Sequence, residues 1–392
     1  MSLLSHIYFR QMDLNIQDKF FSLLRFSIGT DDQVSAITYQ ELNKIHELSR
    51  KQSLQAVIFS GVKRLPKDAI ITQPKEAVDR DSLFMNWIGE CVMIARQNMK
   101  VDENIAGLFH RLGDKGFECC LLKGEGNAQL YPNPLDRTCG DIDVWIRPKR
   151  NERDGSVRQQ KEDVKAVIDF AKTAGKSFKA IYHHIDFPAY HGTDVELHYR
   201  PHFMQSLWYN ARLQRYFREH ADEQFRHKIS IGGNDIAVPT QAFNIVFQLS
   251  HIYQHLFKEG IGLRQILDYY FLLTSADKLA DARKSYTELL DYLGLKSIAS
   301  AICWILVYRL GMNEDYCVVE PGERHGRFVL HEILAGGNFG RYDERRHFGK
   351  SKLGKNMERL LRDARLINYF PNEALSEPVF RVYHAIWRKI NG

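Results

Sequence analysis

The stretch LLKGEGNAQLYPNPLDRTCGDIDVWIRP, residues Leu121–Pro148, decides how the rest of the chain is read. It begins as an apolar run, meets Lys123-Gly124, crosses a Pro/Asn-rich turn and ends in Gly140-Asp141-Ile142-Asp143-Val144-Trp145-Ile146. In that last piece Asp141 and Asp143 alternate with Ile142, Val144 and Ile146, which is the period of a strand. Successive strand side chains point to opposite faces, so the two carboxylates share one face and the apolar residues fill the other. Two adjacent carboxylates repel each other unless a cation or proton lies between them. Hard divalent cations prefer oxygen ligands. The pattern therefore predicts a strand-borne carboxylate pair that holds a metal, Mg²⁺ or Mn²⁺. Gly140, just before the pair, permits a close backbone approach or an unusual φ. Lys123 and Arg137 flank the intervening loop and are candidates to grip phosphate, Arg with a bidentate fork. Gly124 leaves the backbone open beside Lys123.

A second alternating segment, DVELHY (Asp194–Tyr199), supplies further carboxylates. Asp194, Glu196 and His198 fall on one face of it, Val195 and Leu197 on the other. Taken together, Leu-Lys-Gly, Leu-Tyr-Pro-x-Pro, Arg-x-x-Gly-Asp-Ile-Asp and the later Glu-Leu-His strand resemble the uncharacterised nucleotidyltransferase family of the DNA polymerase β-like superfamily. The resemblance extends upstream over Thr38–Leu65 and downstream over His251–Tyr270, where spaced His residues precede Arg-x-x-Leu-Asp. It implies an α+β fold, a small mixed β-sheet core with helical flanks. It also implies a metal-dependent transfer of a nucleoside monophosphate from an NTP, with pyrophosphate released. It places the third carboxylate at Glu196, beside Asp141 and Asp143, with Asp194 as the fallback. The chain departs from the superfamily's usual Gly-Ser or Gly-Gly phosphate turn: Lys123-Gly124-Glu125-Gly126 puts a carboxylate where phosphate would lie, unless Glu125 points away.

With 392 residues, 44% hydrophobic and 26% charged, the chain has material for more than one domain and an ample core. A net charge of +6 suits anionic substrates such as nucleotides and is not by itself a nucleic-acid signal. The six Cys show no Cys-x-x-Cys spacing and read as reduced thiols, not a disulfide frame or zinc site. The first residues, MSLLSHIYFRQ, lack a long apolar core, and Ile298–Tyr308 is too short to span a bilayer. A cytoplasmic protein without membrane contact is expected.

In chain order, residues 1–100 read as a helical region, 101–237 as the nucleotidyltransferase core and 238–392 as a second helical region. Helices are expected over 81–94 and 102–116, the latter closed by Gly116. Strands are expected over Phe117–Leu122, Asp141–Ile146, Lys179–Tyr190 and Asp194–Tyr199, the last two forming a hairpin about His191-Gly192-Thr193. A charged stretch at 151–163 is either an insertion or a helix start, and Val164–Ala174 is helical. His251 and His255 share a helix face, as do Arg264 and Asp268, which are expected to pair within their helix. The Gly-rich basic segment 336–355 is expected to be a loop, either a flap over an anionic substrate or simply solvated. The acceptor is open: a small-molecule hydroxyl, a protein side chain or an RNA end. Two other functions fit the same residues, a non-catalytic nucleotide- or partner-binding protein and a metal-dependent phosphohydrolase.

Overall fold

The computed structural model describes residues 3–66, 68–175, 179–275, 277–345 and 352–391. The chain opens with α1 (Leu3–Ile28), β1 (Ile37–Thr38), α2 (Tyr39–Gln52), α3 (Gln55–Val62), β2 (Ile70–Ile71) and α4 (Ala77–Asp114). The central part follows as β3 (Phe117–Leu122), α5 (Glu125–Ala128), β4 (Ile142–Pro148), α6 (Val157–Ala174), β5 (His184–Tyr190) and β6 (Thr193–His198). Then come α7 (Leu207–Glu219), α8 (Ala221–Arg226), and a small hairpin of β7 (Lys228–Ile231) and β8 (Asn234–Ala237). The remainder is helical: α9 (Gln241–Lys258), α10 (Leu263–Thr274), α11 (Arg283–Tyr292), α12 (Lys296–Tyr308), α13 (Glu323–Gly336), α14 (Lys352–Leu366) and α15 (Pro371–Asn391). The fold is α+β, with a small mixed sheet flanked by helices.

Local sequence explains most boundaries. Thr38 caps α2 through a reciprocal capping box with Glu41. Ser156 caps α6 by accepting from the Gln159 amide, so the charged stretch is a loop up to Ser156 and a helix from Val157. The two helices expected before residue 116 are a single one, α4, because Arg96–Val101 between them contains no Gly or Pro to interrupt it. Gly116 follows it at φ +82°, the left-handed position that ends helices. The strand expected from Lys179 starts only at His184, preceded by a single bridge between Ala180 and Ile185. The hairpin turn is the two residues His191 and Gly192, both at positive φ, and Thr193 already pairs with Tyr190.

The main sheet has the order β3-β4-β6-β5. β4 runs antiparallel to β3 and parallel to β6, which forms the hairpin with β5. On one face Ile142, Val144 and Ile146 pack in a core with Ile105, Leu108 and Leu112 of α4 and Val164, Val167 and Ile168 of α6. The opposite face is not solvated. Trp145 packs there against Phe225 and stacks on Phe243 of α9, 5.6 Å between centroids. Both faces of β4 are therefore covered, and Asp143, on the Trp145 side, is only 1% exposed. The Ile298–Tyr308 run lies in the buried helix α12. No helix among the described residues is long and apolar enough to cross a membrane.

Candidate active site

Register brings the carboxylates together. Asp143 on β4 lies directly across from Glu196 on the parallel strand β6, and Trp145 across from His198. Asp141 sits one residue before β4 and lines the same cavity. This cavity, about 1290 Å³, opens between the polar face of the sheet and α9. A narrower recess beside it is lined by Lys123, Gly124, Arg137, Gly140, Asp141 and Asp143. All seven residues expected at the site thus border one connected region.

His198 and Lys123 supply positive charge among these carboxylates. His198 Nε2 is 2.9 Å from Asp143 Oδ1 and 3.3 Å from Glu196 Oε2. Lys123 Nζ is 3.0 Å from Asp143 Oδ2 and 3.2 Å from His251 Nε2. Burial alone would push Asp143 up, but Lys123 and His198 outweigh it and hold the carboxyl well below its usual range. Burial would lower His198, yet its bonds to Asp143 and Glu196 push it up to about 9. Glu196 is moved upward, by burial first and by repulsion from Asp143. Lys123 is raised despite its burial, because Asp143, Asp141 and Glu196 all act on its ammonium. The donor set is also one a divalent cation can occupy: oxygen and nitrogen atoms of Asp143, Glu196 and His198 lie within 4.8 Å of one another.

The loop before β4 is held from below. Arg137 donates from Nε and Nη2 to both oxygens of Asp268 on α10, each at 2.8 Å, and Tyr131 donates to the same carboxylate at 2.7 Å. Asn98 of α4 donates to the carbonyls of Leu135 and Arg137. Arg137, only 5% exposed, therefore spends its bidentate fork on a protein carboxylate. The expected pairing of Arg264 with Asp268 gives way to this one. Arg264 instead donates to the carbonyl of Thr138 at 2.7 Å, and it lines both cavities.

Two glycine expectations separate. Gly124 has φ +55° and ψ −125°, a conformation that L side chains rarely adopt, and Lys123 beside it is also at positive φ. Gly140 lies outside the left-handed region, and a Cβ there would meet no atom within 4 Å, so neither an unusual φ nor close packing requires glycine at this position. Glu125 points away from the cavity. Its side chain is buried in α5, and desolvation pushes its carboxyl up to about 7. The repulsion of phosphate expected from its place in the sequence is thereby removed.

Sequence patterns revealed only part of the histidine cluster, with His198 on the carboxylate face of its strand. His183, His184, His198, His202, His251 and His255 all line the larger cavity, drawn from the approach to β5, from β6 and the segment after it, and from α9. His251 and His255 were legible as a helix-face pair, but His183-His184 carries no spacing that announces a site. In segment 336–355, expected to be a loop, Asn338, Phe339 and Arg341 border the cavity and 346–351 lie outside the described residues, but the loop ends early because α14 begins at Lys352.

A family model of uncharacterised nucleotidyltransferases matches residues 39–311, which include both carboxylate strands, α9 and α10. No curated protein and no solved structure matches the chain. The match spans well over half of the sequence and takes in every residue of the expected site, so the chain belongs to the uncharacterised nucleotidyltransferase family.

Proposed function

We propose that the chain is a divalent-metal-dependent nucleotidyltransferase that moves a nucleoside monophosphate from an NTP to a hydroxyl acceptor. The observation that carries this reading is the in-register pairing of Asp143 with Glu196, with Asp141 and Lys123 bordering the same cavity. The acceptor oxygen forms a bond to the α-phosphorus as the bond from that phosphorus to the pyrophosphate oxygen breaks. Asp141, Asp143 and Glu196 would hold the metal, whose charge neutralises the triphosphate and the leaving pyrophosphate. Glu196, whose proton affinity is raised and whose side chain is 27% exposed to the cavity, accepts the acceptor's proton. Lys123 faces the triphosphate with a charge that the three carboxylates keep in place. Arg137 positions the Asp141 loop through Asp268, and Arg264 is the guanidinium available at the recess. The cavity volume is ample for a nucleotide together with part of an acceptor.

The test is incubation with each α-labelled NTP and Mg²⁺ or Mn²⁺, with label then sought on small molecules, on protein and on RNA ends. Label on one of these, with pyrophosphate released, supports the reading. Free phosphate with no labelled acceptor would make the protein a phosphohydrolase. Tight NTP binding with neither product would make it a binding protein.

A further inference from the structure

His183, which precedes β5, His184 at its start, and Glu196 and His198 on β6 converge at one end of the larger cavity. His183 Nε2 is 3.2 Å from His184 Nδ1. His184 Nδ1 is 3.1 Å from Glu196 Oε2, and that oxygen is 3.3 Å from His198 Nε2. The three imidazoles each place a nitrogen within 4.8 Å of the others. A tetrahedral ion bound at about 2.0–2.1 Å has ligand atoms roughly 3.3–3.4 Å apart, close to these separations.

The surroundings point the same way. His183 is 5% exposed, and its ring packs against those of His184 and His198, 4.4 and 5.4 Å between centroids. Asp186 Oδ1 lies 3.8 Å from His184 Nε2, on the side where carboxylates support metal-bound histidines. Glu196 is 27% exposed, which leaves the centre open to the cavity for entry and for a substrate oxygen.

We infer that His183, His184 and His198 form a three-imidazole site for a borderline transition-metal ion of the Zn²⁺ or Co²⁺ type, its fourth position open toward Glu196 and the cavity, next to the Asp141–Asp143 pair. Imidazole nitrogens suit such ions, whereas Mg²⁺ takes oxygen ligands. The two positions are thus chemically distinct: an oxygen-rich one at Asp141 and Asp143, and an imidazole-rich one at Glu196. The inference rests on His198, which also contacts Asp143 and Glu196 of the proposed nucleotidyl-transfer site, but its ligand set excludes Asp141 and Asp143.

The test titrates the full chain, stripped with chelator, with Co²⁺ alone. One equivalent should develop the intense visible absorption of tetrahedral Co²⁺, and Zn²⁺ should displace it. His184→Ala and His183→Gln should each weaken binding by more than the roughly 10–100-fold that outer-shell partners cost, with the circular dichroism of the folded chain retained. Asp141→Asn should leave the Co²⁺ spectrum unchanged, so loss of nucleotidyl transfer in that variant and loss of Co²⁺ binding in the histidine variants report on different claims. X-ray absorption of the wild-type Co²⁺ complex needs no variant and should count three imidazoles. A weak six-coordinate spectrum, fewer than three imidazoles, or tetrahedral absorption that persists in both folded histidine variants would overturn the inference.

Discussion

Replacing Arg137 with Ala tests whether this guanidinium is a phosphate grip or a structural tie. In the structure it makes two 2.8 Å bonds to Asp268, and both side chains are 5% exposed. Arg137→Ala would leave Asp268 as a buried carboxylate supported chiefly by the 2.7 Å bond from Tyr131. Removing one partner of such a pair typically costs about 3–5 kcal/mol, because the remaining charge is uncompensated. With an unfolding entropy of about 2.1 cal/mol/K per residue, a chain of this length should lose roughly 4–6 °C in Tm. The double variant Arg137→Met/Asp268→Leu removes both charges and should recover most of that loss. Burial opposes the charge on Asp268, but Arg137 outweighs it and holds the carboxyl below its usual range. The pair therefore contributes stability that is present above the unfolded carboxylate pKa and lost as pH falls through the folded one. The advantage of wild type over the double variant should accordingly shrink in acid. The assay is thermal and urea unfolding across pH, alongside calorimetry with an NTP and with the matching nucleoside. If Arg137→Ala unfolds at the wild-type midpoint yet loses affinity for the triphosphate alone, the structural account fails and the guanidinium grips phosphate.

Further outcomes are specific to the other residues. Glu196→Gln should bind metal-NTP within several-fold of wild type while transferring at least about a hundredfold more slowly, and an equal loss in affinity and rate would remove its role as base. Asp141→Asn and Asp143→Asn should each abolish most Mg²⁺- or Mn²⁺-dependent nucleotide binding by calorimetry, and unchanged affinity in both would displace the metal from this strand. Lys123→Ala should weaken NTP binding more than nucleoside binding, whereas equal losses would assign it to holding Asp143. Glu125, raised by burial to about 7, binds its proton more tightly in the folded chain, so its contribution to stability should decline as pH rises from about 4.5 toward 7. Glu125→Gln should flatten that part of the stability profile by up to about 3 kcal/mol, and an unchanged slope would place the carboxylate in water.

By itself the sequence determined the elements whose signals are local. The alternation Asp141-Ile142-Asp143-Val144 marks a strand and puts its carboxylates on one face, because side chains on a strand have a period of two. Gly116 ends α4, and His191-Gly192 closes the hairpin, because backbone conformation at such points depends on one or two residues. The Lys-Gly, Gly-Asp-Ile-Asp and Glu-Leu-His segments were enough to identify the family and to name three carboxylates. Tertiary structure decided what those residues face. The alternation marks one side of β4 as carboxylate-bearing but not what covers it; α9 packs over that side, so Asp143 is buried beside Lys123 and His198. Arg137 and not Arg264 pairs with Asp268, because Asp268, 131 residues further along, reaches back to the loop before β4. Glu125 ceases to threaten phosphate because α5 turns it into the interior, where desolvation pushes its carboxyl up to about 7. The histidines gather only when β5, β6 and α9 close around one cavity. Such convergence depends on strand register and helix packing between distant segments, and no local period in the chain records it.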